Sequence, residues 1–98
     1  MARYAPRRID GNQQIIVEAL EAAGCDVIDA TMVGDGFPDL IVGKNKKILL
    51  IEVKNPASKG KLNKLQEKFF NHWKDYAVVV HNVDEALDAL KYFNEEST

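Results

Sequence analysis

The sequence predicts an α/β (α+β) fold, a small mixed β-sheet flanked by helices in the order α-β-β-β-α-β-α. Three observations predict it. The runs DLIVG, KILLIEVK and YAVVV are dense in branched aliphatic residues and too short for helices, as strands should be. The stretches around them repeat apolar residues at helical spacing instead. Capping residues and a well-placed glycine mark where those helical stretches start and stop.

The first helix is expected over residues 12–23, where Ile16, Leu20 and Ala23 form one stripe. Asp10 and Gln13 match a D-x-x-Q capping box before it, and Gly24 suits the position just after its last turn. Residues 25–33, CDVIDATMV, alternate and predict a strand. DLIVG and KILLIEVK follow as a hairpin, with Asn45-Lys46 as a two-residue turn because Asn tolerates φ > 0. A second helix is expected over residues 62–74, with Leu62, Leu65, Phe69 and Trp73 as its buried stripe. YAVVV reads as a fully buried strand joined to the hairpin by a parallel crossover through that helix. Asn82 and Glu85 then cap a last helix whose apolar face is Ala86, Leu87, Leu90 and Phe93.

A chain of 98 residues predicts one domain, residues 1–98, so one site should carry the function. No run reaches the roughly 18 apolar residues of a membrane helix, so no membrane partner is expected. The basic start MARYAPRRID is followed by neither an apolar stretch nor a small-residue cleavage site, which makes a cytoplasmic protein the expectation. The single Cys25 has no cysteine to pair with and reads as a small core residue.

Net charge is −2, which by itself argues against nucleic acid as a partner; its distribution does not. Residues 44–68 hold eight lysines against two acids, whereas residues 75–98 hold one lysine against six acids. Such a basic segment is either a solvated face or a phosphate-binding one.

Within that segment the pattern becomes chemical. Side chains alternate along a strand, so Glu52 and Lys54 share a face while Val53 points away. Counting outward from an Asn45-Lys46 turn pairs Lys44 with Lys47 and sets Asp39 opposite Glu52. Two carboxylates at the ~4.5–5.5 Å spacing of a cross-strand pair repel unless one is protonated or a cation lies between them. Hard oxygen ligands without His or Cys favour Mg²⁺ or Mn²⁺ over Zn²⁺, with the Val53 carbonyl as a further candidate ligand. Lys54 would then neutralise charge on a phosphate or help position and deprotonate an attacking water. The structural alternative is an ion pair with Glu52.

The ordered segments RRIDGNQQIIVEAL, GFPDLIVG, LLIEVKN, KLNKLQEKFFNHW and VVVHNVDEAL, spanning nearly the whole chain, resemble the virus-type replication and repair nuclease (VRR-NUC) family of the PD-(D/E)XK nuclease superfamily. The resemblance implies a restriction-endonuclease-like core and a Mg²⁺- or Mn²⁺-dependent endonuclease hydrolysing DNA phosphodiesters. Asp39 and Glu52 would be metal ligands and Lys54 the base-like catalytic residue. It also implies a glutamine facing the site from the helix after the ExK strand. Gln66 fits, since helical spacing places it beside the Leu62, Phe69 and Trp73 stripe, although Asn63 and Gln66 also match an N-x-x-Q capping box.

Many members carry an acid early in the first helix, where this chain has Asn12, Gln13, Gln14 and Ile15. Asn12 and Gln13 are candidate site amides there, holding water or phosphate. Glu18 is the nearest acid but falls off the inward stripe. Arg3, Arg7, Arg8, Lys59, Lys61 and Lys64 are expected to hold the DNA backbone. Stand-alone members suggest a homodimer resolving four-way (Holliday) junctions, with the interface on Leu87, Leu90, Tyr92 and Phe93 of the terminal helix or on the DVIDATMV strand edge. The alternatives are a nickase or flap nuclease, or a catalytically inactive DNA-binding module of the same fold. His72 and His81 receive no role.

Overall fold

The computed structural model describes residues 11–55 and 61–94. Its elements are α1 Gly11–Ala22, β1 Asp26–Asp29, β2 Leu40–Lys44, β3 Lys47–Val53, α2 Lys64–Trp73, β4 Ala77–Val80, α3 Val83–Ala89 and a last turn α4 Lys91–Asn94. The strands form one four-stranded sheet in the order β1-β2-β3-β4. The first two pairings are antiparallel, and the β3–α2–β4 connection brings the last pair together in parallel. This is the mixed α+β architecture that the aliphatic runs predict.

Asp10 of the expected first cap lies outside the described residues. The other end of α1 closes with the Gly24 N–H on Glu21 O at 3.0 Å and the Cys25 N–H on Leu20 O at 3.1 Å, a pairing that Gly24 makes possible at φ 94°. Lys44 reaches over from the hairpin to the Ala23 carbonyl at 2.9 Å, so one lysine of the basic segment is used as a cation at a helix C-terminus.

The hairpin register is the one counted from the sequence: Lys44 pairs with Lys47, and both turn residues have positive φ, 54° at Asn45 and 68° at Lys46. One face of the sheet, carrying Leu40, Val42, Leu49, Ile51, Val53 and Val80, packs on Ile16 and Leu20 of α1, Ala86 of α3 and Phe93 of α4. The opposite face carries Ile41, Leu50 and Glu52, and lies toward α2.

Four expectations are corrected. The first strand stops at Asp29 rather than running to Val33, because the Asp29 carboxylate accepts from the Thr31 N–H at 2.8 Å and the Thr31 hydroxyl at 2.6 Å, turning the chain out of the sheet. β4 is an edge strand, so Val78 and Val79 are half-buried and only Ala77 and Val80 are buried. The α2 stripe is not a buried one: Leu65 is 54% and Trp73 48% exposed, with Leu62 and Phe69 half-buried. The last helix breaks at Leu90, whose N–H bonds to Leu87 O at 3.1 Å, and the turn swings Phe93 into the core. That swing leaves only Leu87 of the proposed terminal-helix interface exposed, since Leu90, Tyr92 and Phe93 all pack against the core.

Candidate active site

Asp39 stands one residue beyond the last hairpin pair, Leu40 with Ile51, which sets it across from Glu52. Its Oδ2 accepts from the Val53 N–H at 2.9 Å, fixing the carboxylate against the strand that carries its partner. The loop before it, residues 34–38, is held by a close approach. Gly36 has φ 82°, and a Cβ there would lie 2.5 Å from the Leu65 carbonyl oxygen on α2. Only glycine permits that seat, and through it the Asp39 loop and the first turn of α2 are locked together.

Glu52 is 3% exposed, a carboxylate inside the protein. Its Oε2 accepts from Gln66 Nε2 at 2.8 Å and lies 3.5 Å from Lys54 Nζ. Its Oε1 is buried without a hydrogen-bond partner, the one such side-chain atom among the described residues. Burial, and then the negative charge of Asp39, push its pKa up to about 7 against the opposing pull of Lys54.

Gln66 completes the cluster. Its Oε1 accepts from Lys54 Nζ at 2.9 Å and from the Asn63 N–H at 2.9 Å, while the Asn63 side chain accepts from the Gln66 N–H. The capping box and the inward role are therefore one arrangement. The local cap fixes the rotamer that lets the amide bridge Glu52 and Lys54. Lys54 makes the ion pair with Glu52 that was its structural alternative, and Gln66 holds it near the Asp39–Glu52 edge.

The first helix contributes differently from expectation. Asn12 donates from Nδ2 to the main-chain carbonyls of His81, at 3.1 Å, and Lys54, at 3.4 Å, so it ties the ends of β3 and β4 together just where Lys54 leaves the sheet. Gln13 is buried against the core side of α1. Glu18 is exposed and accepts from Gln14 at 3.3 Å, away from the cluster. His81 places its N–H and Nδ1 on Glu85 Oε1, both at 2.8 Å. Lys61 and Lys64 are exposed at the start of α2; Arg3, Arg7, Arg8 and Lys59 lie outside the described residues. Sequence reasoning missed the locking role of Gly36 and the clamp by Asn12. The run Gly34-Asp35-Gly36 ahead of Phe37-Pro38, three residues with positive φ, was the available signal for the first.

Among the described residues no three His, Cys, Asp or Glu side chains gather as a metal cage. Asp39 and Glu52 nonetheless make a donor set of hard oxygens with one buried carboxylate oxygen still to be satisfied, which fits a cation that keeps most of its own waters. No helix among the described residues is long and apolar enough to cross a membrane. Comparison with protein-family models, curated proteins and solved structures finds no match.

Proposed function

We propose that this chain is a Mg²⁺- or Mn²⁺-dependent endonuclease that hydrolyses DNA phosphodiesters at the Asp39–Glu52–Lys54 cluster, as the VRR-NUC resemblance implies. The observation that carries the reading is the partnerless, buried Oε1 of Glu52 beside a second carboxylate. A protein gains no stability from such a pair, and a ligand of opposite charge resolves it. When bound between Asp39, Glu52 and the Val53 carbonyl, the cation would polarise a phosphate oxygen and acidify a bound water.

The protein's own groups supply the rest. The Val53 N–H and the Gln66 amide hold the two carboxylates in place, so neither has to reorganise when charge develops. Lys54, aimed by the Gln66 carbonyl, offsets negative charge on the phosphate and lies in position to orient the attacking water. Water adds across the P–O bond, leaving a phosphate monoester and a hydroxyl. Exposed Lys61 and Lys64 beside the site provide sequence-independent phosphate contacts.

A homodimer would supply the paired incisions that a four-way junction requires. With the terminal helix packed into the core, the β1 edge, where Ile28 is 59% exposed, is the better interface of those read from the sequence. The test is a panel of flaps, splayed arms, nicked duplex and four-way junctions with Mg²⁺ or Mn²⁺, alongside Asp39→Asn and Glu52→Gln. Metal-dependent cleavage lost in both variants is expected. Cleavage unaffected by either substitution, or no cleavage of any substrate by the wild type, would overturn the proposal.

A further inference from the structure

The failure of the α2 stripe to become buried leaves a surface that the active site does not use. Phe69 and Trp73 are stacked, with ring centroids 5.7 Å apart and planes 13° from parallel, and Trp73 meets Tyr76 at 6.0 Å. Phe37 closes the other end of the row against Phe69 at 5.4 Å. Trp73 and Tyr76 are each about half exposed. A row of large rings left in water costs free energy unless something covers it.

Charge indicates what. One residue ahead of Leu65, Phe69 and Trp73, the helix carries Lys64, Lys68 and His72, all exposed, and Lys61 lies just before its first turn. Positions four apart lie on one helical row, so a basic row runs directly alongside the aromatic one. An antiparallel twofold pairing of two α2 helices would bring this basic row against its own copy, a like-charge contact that disfavours a second chain as the occupant. A single-stranded nucleic acid has the complementary pattern, with phosphates spaced beside stacking bases.

We infer that the exposed face of α2 with Lys64, Lys68 and Trp73, together with Lys61 and Tyr76 at its two ends, is a stacking platform for unpaired nucleotides of a DNA substrate. The inference deepens the nuclease reading and rests on it, because the platform and the site share one helix. Gln66, which holds Glu52, and Trp73 are seven residues apart, a separation of ~10 Å along the helix axis. A base stacked on Trp73 thus lies within a short reach of backbone from the carboxylates, and the substrate class becomes DNA with an unpaired stretch next to the scissile bond.

Trp73 is the only tryptophan of the chain, so its emission reports on this surface directly. With EDTA present, an oligo-dT of about ten nucleotides should quench that emission saturably, and a blunt duplex of equal length should quench it much less. Three lysine contacts predict a slope of about −2 in log K against log salt, and Lys68→Ala should lower its magnitude by about 0.7. In anisotropy with a labelled oligonucleotide, Tyr76→Ala and Trp73→Ala should weaken binding about tenfold, while Trp73→Phe, which keeps a ring, should remain near wild type. Emission unchanged by oligo-dT, equal quenching by duplex, or alanine variants binding as tightly as wild type would each overturn the platform. So would a DNA-independent emission change that follows protein concentration together with a doubled sedimenting mass, which would make the face a self-association surface. The measurement needs no cleavage, so a protein that binds oligo-dT through Trp73 but cuts nothing with Mg²⁺ or Mn²⁺ would refute the nuclease and leave the platform standing.

Discussion

Glu52→Gln probes the electrostatic strain at the site with nearly unchanged shape. In the metal-free protein the Glu52 carboxyl holds its proton to about pH 7 instead of the ordinary 4.5. The folded chain is therefore the better proton binder between those values, and stability present below pH 4.5 is lost as pH rises through 7. At about 1.4 kcal/mol per pH unit the loss is about 3 kcal/mol. The variant has no such group, so its Tm relative to wild type should climb by roughly 12–24 °C between acid and alkaline pH, at roughly 4–8 °C per kcal/mol for a domain of this size. The buried amide introduces hydrogen-bonding costs of its own, but those are the same at every pH and cancel from the trend. The assay is thermal unfolding by circular dichroism in EDTA across the pH series, repeated with Mg²⁺. Added Mg²⁺ should restore wild-type stability at high pH and do little for the variant, since a ligand that binds only the folded state stabilises it by an amount that grows with the logarithm of its concentration relative to Kd. A Tm difference that stays constant across the series would refute the claim that Glu52 is a strained, buried acid.

Gly36→Ala should destabilise the fold by more than about 2 kcal/mol in urea titration, because the new Cβ falls 2.5 Å from the Leu65 carbonyl oxygen at a positive φ, and cleavage should fall with it as the first turn of α2 shifts. Lys46→Gly should stabilise the protein by about 1 kcal/mol in the same titration, since Lys46 occupies φ 68° in the hairpin turn where glycine is unstrained. Lys54→Ala should lower the single-turnover cleavage rate by about 100-fold or more while changing DNA affinity less than about tenfold; Lys61→Ala and Lys64→Ala should weaken affinity and its salt dependence with little effect on the rate.

Local geometry made much of this protein legible. Strand alternation and a two-residue turn at Asn45-Lys46 sufficed to place Asp39 across from Glu52, because register propagates rigidly from the turn. Gly24 and the Asn63–Gln66 box likewise act within a few residues, so their residue types declare their role. The carboxylate pair and its lysine could therefore be read as a chemical unit from spacing alone.

What only tertiary structure decided depends on where separate elements meet. An amphipathic stripe shows that α2 has an apolar side, but whether that side finds a partner depends on how the helix lies on the sheet, and here Leu65, Trp73 and Tyr76 remain outside. Alternation through residue 33 gave no hint that the Asp29 side chain would compete for the backbone and end β1 early. Asn12 could not be seen to clasp Lys54 and His81, nor Gly36 to press on Leu65, because those partners are far away in the chain and meet only in the folded protein. Gln66 belongs to both levels: its bond to Asn63 is written in the helix start, whereas its bridge between Glu52 and Lys54 exists because the Gly36 contact seats that helix start over the end of β3.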